Sequence, residues 1–255
     1  MSAEIYAIRY SSREAQAHEH FYRAAPCHGD MPMAYYVWLV RTEQATVLLD
    51  TGFTAAKSEA LGRPYHGAPL ETAAELGAGR IDHLVLSHLH FDHTGHIGEV
   101  ADATVHIQQR EMQFWLGRHA GVGEYAALCD PDDLSALVHA NVAGRLRWLD
   151  GDADLVPGVT LHLVGGHTPG SQVVRVETDR GPVVLAADAS HFYANYENRA
   201  PYAIAHTLPL MYDAFERLAE LAGPEGLVIP GHDPLVMERF PSAGPGLEGR
   251  AVRIA

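Results

Sequence analysis

The sequence predicts two β-sheets packed face to face with helices outside them, an α/β or α+β sandwich. Short apolar runs rich in β-branched residues recur along the chain, most of them ended by Gly, Pro or Asp, and such runs are typical of buried strands. They fall into two similar halves with helix-like segments interspersed, and stacked sheets covered by helices bury both kinds of element. Because no linker rich in Pro, Gly and Ser interrupts the chain, we expect residues 1–255 to form a single domain.

The first half is predicted to contain a hairpin, two helices and a strand. Tyr35–Arg41 and Thr46–Leu49 flank a short polar connector, as the strands of a hairpin do. Helices are predicted at Ala55–Leu61 and Leu70–Leu76. Ile81–Leu86 is a short apolar run that indicates a buried strand.

The second half is predicted to begin with helices and to continue with strands. The region from Gln108 to Leu149, which contains Trp115 and Trp148, is expected to be helical. Leu208–Leu221 has the spacing of an amphipathic helix. Strands are predicted at Val159–Val164, Val173–Glu177, Val183–Ala186 and Leu227–Ile229.

Composition and charge exclude several classes of partner. The 255 residues are 47% hydrophobic and 20% charged, as in ordinary globular proteins, and no apolar run reaches the roughly 20 residues of a membrane span. The net charge of −14 opposes binding to nucleic acid or to an anionic membrane. Met1–Tyr10 lacks the layout of a signal peptide, and Cys27 and Cys129 do not make a disulfide scaffold. We therefore expect a cytoplasmic protein.

Four potential metal ligands stand together directly after the strand predicted at Ile81–Leu86. They are His88, His90, Asp92 and His93, within the run Ser87-His88-Leu89-His90-Phe91-Asp92-His93. Imidazole and carboxylate are the ligands of catalytic zinc, which keeps a position open for water. A tight loop at a strand end can direct several of these side chains to one point. The run therefore predicts a metal site.

Three more ligand-type residues follow later strands in similar settings. His167 lies in Gly165-Gly166-His167-Thr168-Pro169-Gly170, Asp188 follows the strand at Val183–Ala186, and His232 lies in Pro230-Gly231-His232-Asp233. Gly and Pro beside these residues permit tight turns of the backbone. Their recurrence at strand ends predicts that the three complete the site begun by the histidine run.

With these motifs the chain resembles the metallo-β-lactamase superfamily, and within it the N-acyl-homoserine lactonase family. The resemblance covers nearly the whole chain, through the segments Leu49–Gly52, Ser87–Gly95, Gly166–Gly170, Asp188–Ser190 and Gly231–Asp233. It implies the metallo-β-lactamase fold, an αββα sandwich of two mixed sheets packed face to face with helices outside. The site is expected at one edge, between the two sheets.

The resemblance also implies a dinuclear centre and its chemistry. The first metal would be held by His88, His90 and His167, and the second by Asp92, His93 and His232, with Asp188 bridging both. Zinc is the expected metal, and iron, cobalt or manganese also suit such ligands. The implied reaction opens a lactone, an N-acyl-homoserine lactone or a related γ- or δ-lactone, by attack of a metal-bridging hydroxide. The chain would thus be a hydrolase of carboxylic ester bonds acting on a small molecule, and a homodimer would fit the resemblance.

Several residues near the ligands depart from the family pattern or have open roles. The family usually has a tyrosine three residues after the bridging aspartate, where this chain has His191; we expect His191 or the nearby Tyr193 to donate a hydrogen bond to the substrate. Together with Asp92 they are the candidate catalytic residues. Ser171 replaces a histidine found in many members. Asp50 either orients a ligand histidine or caps the segment that follows it.

Two sets of apolar residues are candidates for the walls of the substrate pocket. Any single residue of the first set is more often a core or surface side chain than part of a pocket. The first set is Phe21, Tyr22, Met31, Met33, Tyr35 and Trp115. The second, favoured because it follows Asp188 closely, is the segment from His191 to Tyr202, with Phe192, Tyr193 and Tyr196.

Other activities fit the same kind of site less well. A flavodiiron protein would have Glu in place of His90 and a flavodoxin domain after Ala255, and a ribonuclease would need a basic face. A thioesterase of the hydroxyacylglutathione hydrolase type, or another ester hydrolase, is the main alternative. The thioesterase would need basic residues near the C-terminus, where Arg239, Arg250 and Arg253 stand. A non-catalytic metal-binding module is disfavoured because all seven ligand types are present.

Overall fold

A computed structural model of the protein describes residues 3–22 and 29–255; Cys27 therefore lies outside the described residues. Short 3₁₀ turns occupy Ala17–Glu19, Ile97–Glu99 and Gly123–Ala127. The strands are β1 (Glu4–Arg13), β2 (Met33–Arg41), β3 (Thr46–Leu49), β4 (His83–Val85), β5 (Thr104–Gln108), β6 (Leu146–Leu149), β7 (Ala153–Val156), β8 (Val159–Leu163), β9 (Gln172–Thr178), β10 (Gly181–Ala187), β11 (Leu227–Pro230) and β12 (Ala251–Arg253). The helices are α1 (Ala55–Leu61), α2 (Pro69–Glu75), α3 (Phe91–Thr94), α4 (Gln109–Trp115), α5 (Pro131–Val142), α6 (Tyr193–Glu197), α7 (Leu208–Ala222) and α8 (Leu235–Arg239).

The strands form two mixed sheets. The seven-stranded sheet has the order β12-β1-β2-β3-β4-β5-β6, and the five-stranded sheet has the order β11-β10-β9-β8-β7. β3 to β6 run parallel, as do β10 and β11, while the remaining pairs are antiparallel. The parallel strands matter for the site, because their carboxyl ends open on the same edge of each sheet.

Three clusters of buried side chains define the layers. The central cluster joins alternate residues of both sheets, such as Trp38 of β2 and Val174 of β9. A second cluster packs α2, α4 and α5 on the outer face of the larger sheet, and a third packs α7 on the outer face of the smaller one. The layers therefore run helix, sheet, sheet, helix, which confirms the predicted αββα sandwich. None of the helices in the described ranges is long and apolar enough to cross a bilayer.

The predicted elements agree with the structure except in the middle of the chain. The hairpin is present as the antiparallel pair β2 and β3, and α1 has the predicted bounds. The prediction of helix from Gln108 to Leu149 is wrong at its end, where Leu146–Leu149 forms β6 and contains Trp148. β6 is the edge strand beside β5 and is half exposed, so its sequence lacks the apolar run by which a buried strand is recognised.

Candidate metal centre

Three histidine nitrogens meet at the edge of the sandwich. His167 Nε2 lies 2.9 Å from His90 Nδ1 and 3.2 Å from His88 Nε2. His88 and His90 stand in the loop after β4, and His167 in the turn between β8 and β9. All three side chains are buried. We call His88, His90 and His167 the first group.

Asp92, His93 and His232 form the second group. Their ligand atoms lie within 4.8 Å of one another, and Asp92 Oδ2 is 3.7 Å from His93 Nε2 and 3.8 Å from His232 Nε2. Asp92 and His93 belong to the short helix α3, while His232 follows β11. The side chain of Asp92 is 13% exposed and those of the two histidines are buried, so the carboxylate is the member of the group that meets solvent.

Asp188 lies between the two groups and faces both. Its Oδ1 is 3.0 Å from His232 Nε2 and 3.4 Å from His93 Nε2. Its Oδ2 is 3.3 Å from His167 Nε2 and 3.9 Å from His88 Nε2. The residue follows β10 directly. One carboxylate thus presents one oxygen to each group, which is the geometry of a bridging ligand.

Fixed acceptors orient three of the histidines through their other ring nitrogen. In each case Nδ1–H donates, so the lone pair of Nε2 is left facing the centre. The pairs are His167 with the carbonyl oxygen of Ile204 (2.7 Å), His232 with that of Ala34 (2.9 Å) and His93 with Oδ2 of Asp50 (2.8 Å). The tautomers that a metal ion requires are therefore already set by the protein.

Asp50 forms hydrogen bonds that reach residues of both groups. Besides the bond from His93, its carboxylate accepts hydrogen bonds from the backbone N and the Oγ of Ser87, each at 2.7 Å. Ser87 Oγ in turn lies 3.0 Å from His88 Nδ1. The alternative role for Asp50, capping the segment after it, is wrong, because Thr54 caps α1. Asp50 instead orients a ligand-type histidine.

The atoms at the centre match what a cation requires. His93 Nε2 and Asp188 Oδ1 are buried and have no hydrogen-bond partner within residues 3–22 and 29–255. Burial opposes protonation of His93, but the carboxylates of Asp188, Asp92 and Asp50 together raise its pKa well above the usual range. The carboxylates thus favour a positive charge at this point, which a bound cation supplies when Nε2 of His93 carries no proton. Imidazole nitrogens and carboxylate oxygens are the donor set of catalytic zinc. The clusters are able to hold metal ions.

Gly231 allows the ends of β10 and β11 to meet. A Cβ at this position would lie 2.5 Å from the carbonyl oxygen of Ala187 and 2.7 Å from Oδ1 of Asp188, too close for any side chain. The backbone N of Gly231 also donates to the carbonyl of Ser190 at 2.9 Å. Because glycine fits here, the next residue, His232, can place its Nε2 within 3.0 Å of Asp188 Oδ1.

His191 lies beside the centre but faces Asp188. Its Nε2–H donates to Asp188 Oδ2 at 3.0 Å, and its ring stacks on Tyr202 at 3.4 Å between centroids. Burial lowers the pKa of His191 to about 3, although Asp188 opposes the shift. The imidazole is therefore neutral, and the proton that we expected it to donate to a substrate is donated to Asp188 in this geometry.

The structure does not bring Tyr193 to the centre. Its ring packs in the central cluster between the sheets, and the guanidinium of Arg239 lies 3.7 Å above its centroid. Tyr202, at the other end of the same segment, is buried against His191 and donates a hydrogen bond to the backbone oxygen of Asp188. Of the two residues expected to donate to a substrate, only His191 touches the ligand set.

Of the first set of candidate pocket residues, two rings pack against ligand histidines on opposite sides of the site. Tyr35 meets His232 at 5.0 Å between centroids, and Trp115 meets His90 at 5.6 Å. Beside Trp115 a narrow cleft reaches the first group. The residues that line it include Phe114, Tyr125, Leu128, Ile204 and His206 as well as His90 and His167.

Sequence reasoning missed Glu111, whose buried carboxylate touches the loops that carry the first group. It accepts hydrogen bonds from the backbone N of Leu89 and from Oγ1 of Thr168. Ser171, which stands where many members have histidine, is part of the same turn as Thr168, and its Oγ accepts from the Thr168 backbone N at 3.0 Å. The signal that could have revealed Glu111 is an acidic residue on the core side of a helix beside the site.

Comparison with known proteins agrees with this geometry. The family model described as the metallo-beta-lactamase superfamily matches residues 31–232. An N-acyl homoserine lactonase of a Bacillus species is 32% identical over 222 residues, covering 80% of this chain and 82% of the relative. An N-acyl homoserine lactonase of Bacillus thuringiensis is 31% identical over 216 residues, covering 78% and 80%.

Solved structures share the fold. A quorum-quenching N-acyl homoserine lactone lactonase superposes with a TM-score of 0.77 at 24% identity, over 92% of this chain and 94% of that one. An N-acyl homoserine lactone hydrolase with the product N-hexanoyl-L-homoserine bound at its catalytic metal centre gives a TM-score of 0.78 at 23% identity, over 94% and 98%. At these identities the likeness establishes the fold.

Proposed function

This chain belongs to the metallo-β-lactamase superfamily, and from that membership we propose that it is a dinuclear metal-dependent hydrolase that opens the ring of a lactone. The observation that carries the proposal is Asp188, whose two oxygens face two separate groups of donors. A single metal ion would need only one such group. The first group would hold one ion and the second group the other, with Asp188 shared.

The residues of the centre have different roles in the proposed reaction. Two bound divalent ions would supply a water of lowered pKa and a Lewis acid for the carbonyl oxygen. The protein keeps the histidine tautomers fixed through Ile204, Ala34 and Asp50, so no reorganisation is needed when charge develops. Asp92 is the partly exposed member of the second group. Its carboxylate oxygens can therefore accept a proton at the centre and release it to solvent.

The narrow cleft beside the first group has a partly apolar lining. Phe114, Trp115 and Tyr125 contribute aromatic surface next to His90 and His167, and apolar walls around a few polar groups are typical of small-molecule sites. The relatives at 31–32% identity are named N-acyl homoserine lactonases. We therefore propose an N-acyl-homoserine lactone or a related γ- or δ-lactone as the substrate.

The basic residues that a glutathione thioester would need are engaged elsewhere. Arg250 pairs with Glu75 at 2.7 Å, and Arg253 pairs with Glu4 at 3.2 Å. Arg239 lies over the ring of Tyr193. These three guanidinium groups are thus already paired with other side chains, which favours a lactone over a glutathione thioester.

Zinc is the proposed metal, since five histidines and two carboxylates suit it, although iron, cobalt and manganese accept the same donors. The direct test is a pH-indicator assay of the purified protein over a panel of lactones, simple esters and thioesters. Hydrolysis of at least one lactone, abolished by a chelator and restored by zinc, is expected. Hydrolysis of thioesters without any lactone would overturn the proposal.

A further inference from the structure

Glu111, at the start of α4, makes four hydrogen bonds although it lies outside both ligand groups. Its side chain is fully buried. Oε1 accepts from the backbone N of Leu89 at 3.0 Å and from Trp115 Nε1 at 2.7 Å. Oε2 accepts from Thr168 Oγ1 at 2.7 Å and from the backbone N of Gly170 at 2.8 Å. Every acceptor position of the carboxylate is therefore used.

Three of these four donors come from the two segments that carry the first group, and the fourth, Trp115 Nε1, belongs to α4 itself. Leu89 stands between His88 and His90, and Thr168 follows His167 directly. The two segments belong to different sheets, since one follows β4 and the other follows β8. A single carboxylate thus connects the two sheets at the point where the first group is assembled.

Gly170 allows the turn that carries His167 to pack directly against the start of α4. A Cβ on Gly170 would lie 2.5 Å from both the backbone N and the Cβ of Glu111, a distance that real side chains do not reach. The turn is therefore seated directly on Glu111, without room for an intervening side chain. This packing is independent of the hydrogen bonds and points to the same junction.

We propose that Glu111 is the positioning residue of the first group: its carboxylate sets the distance between His167 and the pair His88 and His90, and thereby the metal affinity of that group. The inference rests on the proposed metal-dependent function. Glu111 would position the first group as Asp50 orients His93 of the second group, through hydrogen bonds to its carboxylate.

The carboxylate is required because all its partners offer protons. Two backbone N–H groups and an indole N–H cannot accept a hydrogen bond, and only the hydroxyl of Thr168 can. In Glu111→Gln, the side-chain amide would point its NH₂ group at one pair of donors. With the NH₂ group toward Thr168, the N–H of Gly170 loses its acceptor and the turn that carries His167 is released from α4.

The test measures metal affinity in two backgrounds, with Zn²⁺ against a competing chelator. Asp92→Asn with His232→Ala leaves the first group intact, whereas His88→Ala with His90→Ala leaves the second. Adding Glu111→Gln should weaken zinc binding by about 10- to 100-fold in the first background, the range typical of residues that orient ligands. In the second background it should leave binding unchanged. The measurement uses no substrate, so a failure of lactone hydrolysis is detected separately.

Two further variants guard against a general loss of structure. Thr168→Val removes one hydrogen-bond donor to Glu111 and should weaken zinc binding by the first group to a smaller extent. This variant tests the proposal if Glu111→Gln does not fold. Asp82→Asn is the matched control, because Asp82 also accepts a backbone hydrogen bond, from Thr46, but at the opposite end of β3 and β4. It should change neither affinity. Equal weakening in both backgrounds, or none in the first, would overturn the proposal.

Discussion

His191 is held in place by two partners, the carboxylate of Asp188 and the ring of Tyr202. Replacing it with Phe keeps a ring for the stack and removes the hydrogen bond to Asp188 Oδ2. Because Asp188 faces both groups, we expect His191→Phe to lower kcat by about 10- to 100-fold. Steady-state kinetics on the best lactone of the panel would measure this.

Tyr193→Phe is the matched comparison for His191→Phe. The ring of Tyr193 packs between the sheets under Arg239, so loss of its hydroxyl should leave turnover at the wild-type level. If both variants keep full turnover, neither residue serves the reaction. A defect confined to Tyr193→Phe would reverse the assignment.

The sequence predicts those residues of the centre whose own side chains are the ligands. The seven predicted ligands lie in the two groups and in Asp188 between them. The groups that orient them were harder to predict, because the carbonyl oxygens of Ile204 and Ala34 belong to the backbone and leave no trace in the residue type. Glu111 was missed for a related reason, since its partners are mostly backbone and indole N–H groups.

At the scale of elements, the turn after β11 depends on a single glycine. Gly231→Ala would place a methyl group 2.5 Å from the Ala187 carbonyl oxygen. We expect this change to lower the free energy of unfolding by about 1–3 kcal/mol, the range for overpacking of a filled site. It should also weaken metal binding, because His232 is displaced from Asp188. Denaturant unfolding and metal titration would measure the two effects.

Gly244→Ala is the control for that substitution. Apart from Gly244 and its two chain neighbours, no atom of residues 3–22 and 29–255 lies within 4 Å of a Cβ at this position. The same chemical change should therefore leave both stability and metal binding unaltered. If Gly231→Ala behaved like Gly244→Ala, the close approach of β10 and β11 would not be needed for the centre.

The first turn of α5 contains a pH-dependent contact. Burial raises the pKa of Asp133 to about 6, although Thr94 Oγ1 donates to its carboxylate. The folded state therefore binds a proton more tightly than the unfolded chain, whose aspartates titrate near 3.9. The associated stability is present below pH 4 and is lost as the pH rises through about 6.

Asp133→Asn removes that titration. The variant should match the wild type near pH 4 and become more stable than it at pH 7, by up to about 1 kcal/mol given the partial exposure of the group. Thermal unfolding of both proteins between pH 4 and 7 would reveal the divergence. Parallel curves for the two proteins would contradict the raised pKa.

Elements with strong apolar patterns were predictable, and elements defined by long-range pairing were not. α1 has the predicted bounds and α7 ends one residue beyond its predicted end. β12 is only three residues long and pairs with β1, more than two hundred positions away. Such a strand owes its existence to its neighbour in the sheet and not to its own residues.

At the scale of the molecule, the sandwich explains why distant residues meet. The first group joins a loop of the larger sheet to a turn of the smaller one, and the second joins α3 to the end of β11. Two sheets packed through one central cluster hold these ends at a common edge. The family resemblance predicted this layered arrangement, because the motifs that carry it are the strand ends themselves.

The proposed reaction needs both groups of donors, and a metal titration of activity tests this requirement. Metal-free protein would be titrated with zinc while the initial rate on one lactone is followed. We expect no activity in the metal-free protein and a rate that reaches its plateau at two equivalents of zinc per chain. A plateau at one equivalent, or activity that persists without metal, would contradict it.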